Sequence, residues 1–317
     1  MNMALLKSWL GIFLRGCAMG AADLVPGISG GTLALITGIY ERLINAIANI
    51  DISALRIVLK GDIKAAWRHI DGSFLLALAC GILTSIFVLA HLIEHLVQTQ
   101  PVLVWSFFSG LVLASIIYLL RIVWPGSLGT LGLGGSGLSA LGFIIVGAVL
   151  ALSLSQLRLA ELPLTTVFIF VGGFIAISAM LLPGVSGSFL LLMLGLYQPT
   201  LAAVTSLDFA YIAIFGLGAA SGFVVFSRII RYLLRYFHEP TLLFITGLLI
   251  GSLYTTWPWK SALEGAAASN LSPSAYIQTG SDAQVGPALI CLLLGFILVV
   301  AIAAAGSKKD AITNIQS

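Results

Sequence analysis

Arg15-Gly16-Cys17-Ala18-Met19-Gly20-Ala21-Ala22-Asp23-Leu24-Val25-Pro26-Gly27-Ile28-Ser29-Gly30-Gly31-Thr32 runs on to Gly38-Ile39-Tyr40-Glu41, and a weaker copy returns at an offset of 157 residues. Pro26, Gly27, Ser29 and Gly30 match Pro183, Gly184, Ser186 and Gly187. Gly16, Ala22, Gly38 and Tyr40 match Gly173, Ala179, Gly195 and Tyr197. A proline removes one helix hydrogen bond and its ring clashes with the preceding turn. Glycines admit backbone angles that other residues avoid. Each copy is therefore expected to be helix, break, helix. Two apolar segments broken at corresponding places are the sequence signature of a transporter built from repeats.

The residues at the break favour an anion. A helix beginning near Ser29 to Thr32 presents free N–H groups and the positive end of its dipole. Gly30, Gly31 and Gly187 leave the backbone open to a ligand, and Ser29, Thr32, Ser186 and Ser188 carry hydroxyls that serve as ligands or as plain helix caps. Arg15 offers a planar fork that matches phosphate oxygens; its bland alternative is an interfacial anchor. Asp23 stands three residues before Pro26, inside an apolar run. A carboxylate at membrane depth is a functional hypothesis by default; the alternatives are a coupling group or an ion-pair partner for Arg15. Glu41 is a second coupling or gating candidate, with pairing to Arg42 or Arg15 as its structural alternative. The matched positions in the second copy are Met180 and Gln198.

Composition sets the class. Of 317 residues 59% are hydrophobic and 9% charged, against roughly 25% charged in a soluble domain, and the mean hydropathy is +1.10. This is the composition of an all-α, polytopic membrane protein. A net charge of +3 gives no reason to expect nucleic acid. The three cysteines, Cys17, Cys80 and Cys291, lie in apolar segments with no disulfide or zinc spacing. The N-terminal apolar run is interrupted by Arg15 and reads as retained rather than as a signal peptide.

The first repeat, 1–157, is expected to hold a broken hairpin over 9–48 (arms 9–25 and 29–48), an amphipathic surface helix over 51–69, and spans over 74–97, 102–121 and 138–155. The second, 158–317, is expected to hold a hairpin over 164–203 (arms 164–182 and 185–203) and spans over 209–236, 240–256 and 286–305. The linker 125–137 is rich in Gly and Ser and reads as a loop. Each span is long enough for a hydrocarbon core of roughly 30 Å. With both termini in the cytoplasm, all of the 15 Lys and Arg except Arg158 and Lys260 fall on or near that side. Each half then crosses the membrane an odd number of times, so the two repeats are inverted, and breaks at mid-depth favour re-entrant hairpins over fully spanning ones.

The stretch Met19 to Thr32 with Gly38-Ile39-Tyr40-Glu41, followed by Leu182-Pro183-Gly184-Val185-Ser186-Gly187-Ser188, resembles the bacterial polyprenyl-phosphate transporter family, the undecaprenyl-phosphate translocases, over essentially the whole chain. The resemblance implies translocation of undecaprenyl phosphate from the outer to the inner leaflet of the cytoplasmic (inner) membrane, where the carrier lipid is recycled for cell-envelope synthesis. It implies a membrane-embedded protein with that lipid and anionic lipids as partners, no enzymatic activity and no cofactor. Proton or sodium coupling stays open, and so does a homodimer. On this reading Arg15, Ser29, Gly30, Gly31, Thr32, Ser186, Gly187 and Ser188 bind the phosphate, while Asp23 and Glu41 couple or gate.

Three rival readings remain at this stage. One is a transporter or channel for a small ion using the same broken helices. Another is an intramembrane metalloenzyme on His91, Glu94 and His95, which match a five-residue zinc-peptidase pattern without an evident third ligand. The last is a lipid phosphatase, for which no suitable His, Arg and Ser constellation stands out.

Overall fold

The computed structural model describes residues 3–24, 29–123, 135–155, 164–261 and 269–315. Pro26, Gly27, Trp124, most of the 125–137 linker and Arg158 lie outside the described residues. The described chain is built of α-helices, in order α1 (Met3–Asp23), α2 (Gly30–Ile36), α3 (Tyr40–Ala48), α4 (Ile52–Leu59), α5 (Ile63–His69), α6 (Gly72–Thr99), α7 (Pro101–Val123), α8 (Gly135–Ser155), α9 (Thr166–Met180), α10 (Gly187–Met193), α11 (Tyr197–Thr205), α12 (Phe209–Tyr236), α13 (His238–Thr255), α14 (Pro273–Gln278) and α15 (Val285–Ile315). Five of them, within α6, α7, α8, α12 and α15, are long and apolar enough to cross a membrane, and the bent pair α10–α11 counts as a sixth if it is one span. The protein is a multi-span membrane protein.

The duplication survives in the helices residue by residue. The offset of 157 carries Gly30–Ile36 onto Gly187–Met193 and Tyr40–Ala48 onto Tyr197–Thr205. The second arm of each hairpin is not the single helix expected over 29–48 and 185–203. It is a seven-residue helix followed by a nine-residue one. The hinge is Gly38 at φ 71° in the first copy and Gly195 at φ 69° in the second, a left-handed conformation that only glycine adopts cheaply. The bend between α10 and α11 is 104°.

Past the hairpins the register changes. An offset of 137 carries Gly72–Thr99 onto Phe209–Tyr236, because the first half holds the additional α4 and α5. These were expected as one surface helix over 51–69. Two helices form instead, broken at Gly61 with φ 83° and started by the side chains of Asp51 and Asp62, which accept from Ala54 N–H and Ala65 N–H. Ile52, Leu55, Leu59 and Ile63 are exposed, an apolar face suited to lying in a membrane interface.

The chain divides into two compact units, residues 1–93 with 159–237, and residues 94–158 with 238–317. Each unit takes elements from both repeats. In the first, α1 lies against α6 at Gly16 and Gly81, where an added Cβ would strike the carbonyl oxygens of Leu78 and Phe13. The same contact recurs between α9 and α12, at Gly173 against Phe215 and Gly218 against Phe170. Small residues that let backbones meet are the usual means of helix association in lipid.

In the second unit α13 packs on α8 and α7, and α15 packs on α7. The span expected over 240–256 is this α13, buried along most of its length. Its end carries a polar cluster. The Lys260 ammonium donates to the Thr255 carbonyl and sits 3.9 Å over the Trp105 ring. The buried Trp259 indole donates to the Ala283 carbonyl at 2.8 Å, so this tryptophan is a packing residue. Burial pulls the Lys260 pKa down from 10.5 to about 8. Between those values the unfolded chain holds the proton and the folded chain does not, so stability rises with pH across that window. Thermal unfolding in detergent should show a gain on the order of 2 kcal/mol from pH 8 to pH 10.5, and Lys260→Met should remove most of that slope.

Candidate functional site

The site lies in the first unit, where α1 stops and α2 starts. Asp23 is the last residue of α1, the wrong end of a helix for an anion. It is held there by the opposite end of the next helix. The Gly30 N–H donates to Asp23 Oδ1 at 2.6 Å. The Gly31 N–H donates to the Ser29 hydroxyl at 3.1 Å, and the Thr32 N–H donates to the Ser29 carbonyl at 2.9 Å. The first-turn donors of α2 are thus engaged by the chain's own groups, and a carboxylate occupies the position an anionic ligand would take.

Three hydrogen bonds tie this hairpin to the break of the other. The buried Ser29 hydroxyl donates to the Met180 carbonyl at 3.0 Å. The buried Tyr40 hydroxyl donates to the Leu181 carbonyl at 3.0 Å. Thr32 Oγ1 accepts from the Gly184 N–H at 3.0 Å. The second break is arranged differently. Ser186 caps α10, accepting from the Phe189 N–H at 3.4 Å, and its hydroxyl is 3.0 Å from that of Ser188. Gly187 is buried, and a Cβ added there would strike the Ala176 carbonyl. Met180, at the position matching Asp23, brings no charge.

A cavity of about 350 Å³ opens beside the first break. Asp23, Gly30 and Gly31 border it, and Leu78, Ile82 and Phe223 are among its apolar walls. Such a chamber fits an amphiphile, with a polar head at the break and hydrocarbon along the walls.

Of the residues singled out from sequence, Asp23, Gly30 and Gly31 border this cavity. Ser29 and Thr32 stand behind them and join the hairpins, while Ser186, Gly187 and Ser188 build the start of α10. Arg15 is half-buried on α1, does not line the cavity, and among the described residues forms no ion pair with Asp23. Glu41 faces a different cavity, described below. Arg42 pairs with Asp71 at 2.7 Å. His91 and His95 are exposed on α6, and the Glu94 side chain lies outside the described residues. Sequence reasoning passed over Tyr40 as a linker of the hairpins, although its recurrence as Tyr197 was the available signal.

Residues 19–272 match the family described as undecaprenyl phosphate translocase-like. The chain belongs to this family. It is 40% identical over 304 residues to a polyprenyl-phosphate transporter of Vibrio cholerae, covering 92% of this chain and 96% of the relative. It is 34% identical over 266 residues to a polyprenyl-phosphate transporter of Staphylococcus aureus, covering 79% and 86%. No solved structure matches the chain significantly. The names carried by the undecaprenyl phosphate translocase-like family and these relatives are those of transporters, not enzymes. They run against the metalloenzyme and phosphatase readings.

Proposed function

We propose that the protein translocates undecaprenyl phosphate between the leaflets of the bacterial cytoplasmic membrane, returning the carrier lipid to the inner leaflet for cell-envelope synthesis. The observation that carries this is the cavity at the first break, whose mostly apolar lining includes Asp23 and the first turn of α2. Both relatives are named as transporters of polyprenyl phosphate, the class of lipid to which undecaprenyl phosphate belongs.

In this mechanism the phosphate takes the Gly30 and Gly31 donors when Asp23 lets go, with Ser29 and Thr32 and the Ser186-Gly187-Ser188 turn closing around it from the second hairpin. The prenyl tail stays among apolar side chains and lipid. Exposure of the breaks first to one side and then to the other completes the cycle, and the hinges at Gly38 and Gly195 let each short helix pair move. Asp23 is the coupling group: a proton or sodium ion that neutralises it frees the Gly30 N–H. Arg15 acts on approach rather than in the resting cavity, and Glu41 gates. The hairpins are re-entrant, the repeats inverted and the termini cytoplasmic. Arg228, Arg231 and Arg235 meet the ends of α3 near α4 and α5, which puts much of the basic charge at one end of the first unit.

The test is reconstitution into vesicles carrying a labelled polyprenyl phosphate in both leaflets, followed by a phosphatase added outside. With the protein the whole pool is hydrolysed; without it only the outer pool is. Hydrolysis limited to the outer pool despite intact protein, together with uptake of labelled inorganic anion in lipid-phosphate-free vesicles, would move the assignment to small-ion transport.

A further inference from the structure

A second cavity in the first unit, of about 530 Å³, lies between α3 and the last turns of α12 and is bounded by Glu41, Ile44, Asn45, Arg231, Leu234 and Arg235. Its character is opposite to that of the first. Charged and amide side chains supply most of its lining, and two of them are guanidinium groups one helical turn apart on one face of α12.

The wall is fixed by the same basic stripe. Arg228 donates to the Ile50 carbonyl at 3.0 Å, and Arg231 Nη1 donates to Asn49 Oδ1 at 2.7 Å. Both bonds pin α12 to the C-terminal end of α3. Arg231 is half-buried, and Asn49 uses one of the five N–H donors that a guanidinium carries. Arg235 is exposed, with its guanidinium 5.7 Å from the centre of the Tyr236 ring. Arginine forks at this spacing suit the oxygens of a phosphate monoester.

We propose that this cavity is a second phosphate-monoester site, which holds the lipid headgroup at the basic end of the unit as it enters or leaves the hairpin cavity; the proposal rests on the transport reading above. Two further observations support it. First, α3 is the shared wall. Tyr40 and Leu43 line the hairpin cavity, while Glu41, Ile44 and Asn45 line this one, so a headgroup passes from one to the other across the width of a single helix hinged at Gly38. Second, the charge is one-sided. At the offset of 137, Arg231 and Arg235 match Glu94 and Gln98, and at the offset of 157 Glu41 matches Gln198. The matching positions of the first repeat, on α6, hold no basic residue. The Glu41 carboxylate shares the cavity with the two cations and opposes the bound anion. A transit site needs binding strong enough for entry and weak enough for exit.

The rival account is that the stripe only neutralises the end of α12 and anchors it among lipid headgroups. Labelling of Asn45→Cys separates the two, with Cys17, Cys80 and Cys291 replaced in the same background. A charged, membrane-impermeant maleimide reports access to the cavity, and geranylgeranyl phosphate, geranylgeraniol and inorganic phosphate are the probes. Saturating geranylgeranyl phosphate is expected to slow labelling roughly tenfold, geranylgeraniol and inorganic phosphate to leave it unchanged, and Arg231→Gln with Arg235→Gln to abolish the protection. Arg231→Lys with Arg235→Lys, which keeps the charge, retains part of it and controls for folding. Protection that persists in Asp23→Asn places the headgroup here independently of the hairpin. Equal protection by inorganic phosphate overturns the lipid assignment. No protection by the lipid phosphate, or protection that survives the double glutamine variant, overturns the site. Protection in a protein that fails the vesicle assay leaves this site standing and removes the transport reading.

Discussion

Asp23→Asn should bind a polyprenyl phosphate roughly tenfold more tightly than the parent and translocate it at less than about a tenth of the rate. The carboxylate stands 2.6 Å from the Gly30 nitrogen, at the start of α2. A phosphate that uses those donors must displace it or meet it as a like charge. Like charges a few ångströms apart oppose one another by on the order of 1–3 kcal/mol when partly screened. Asparagine keeps an oxygen that accepts from Gly30, so the turn between α1 and α2 survives, but the competing charge is gone. Binding therefore strengthens. Under the proposed mechanism turnover falls for two reasons: a headgroup without a competitor leaves slowly, and the carboxylate proposed to exchange a proton or cation no longer exists. Native mass spectrometry of the purified variant gives the affinity, and the external-phosphatase assay gives the rate. Weaker binding would mean that Asp23 assists the headgroup instead of competing with it, and the displacement mechanism would be wrong.

The helices that carry this site could be read from the sequence, because duplication leaves marks that hydropathy alone does not. The match of Ser29 with Ser186 located both helix starts, and Gly16 with Gly173 marked the close approach to α6 and α12. What escaped reading has local causes. Residues 29–48 are apolar but for a few positions such as Glu41, Arg42 and Asn45, and hydropathy cannot see a turn inside them. Only the repeated Gly38 and Gly195, one residue before Ile39 and Leu196, hinted at a hinge. The split between α4 and α5 is similarly a matter of Gly61 alone. The pairing of Arg15 with Asp23 looked natural because eight residues is close in sequence. Along an α-helix it is roughly 12 Å, beyond the reach of an ion pair unless the chain folds back. Asp23 finds Gly30 instead because the break turns α2 toward it. The bonds from Ser29, Thr32 and Tyr40 to the second hairpin join residues more than 140 positions apart, and side-chain partners at that separation follow from packing rather than from pattern.

Gly31→Val should lower stability by about 2–4 kcal/mol and reduce translocation by roughly a hundredfold. Gly31 is buried in the first turn of α2. A Cβ there would come within 2.9 Å of the Met180 carbonyl and 3.4 Å of the Leu181 carbonyl. These are backbone atoms at the end of α9, and they cannot rotate away as a side chain would. The two hairpins must separate to admit the extra atoms. Separation strains the three bonds that join them, from Ser29 to Met180, from Tyr40 to Leu181 and from Gly184 to Thr32. Each bond broken in this buried place leaves a polar group without a partner, at about 1–3 kcal/mol. Thr32→Val is the graded comparison. It removes one bond without adding bulk at the contact, so it should lose stability by no more than about 2 kcal/mol and retain measurable transport. If the hairpins move as one body during the cycle, the two variants rank in this order both in thermal midpoint and in rate. Were Gly31→Val to transport normally while Thr32→Val failed, contact between the breaks would not matter, and the Thr32 hydroxyl would be acting on the headgroup itself.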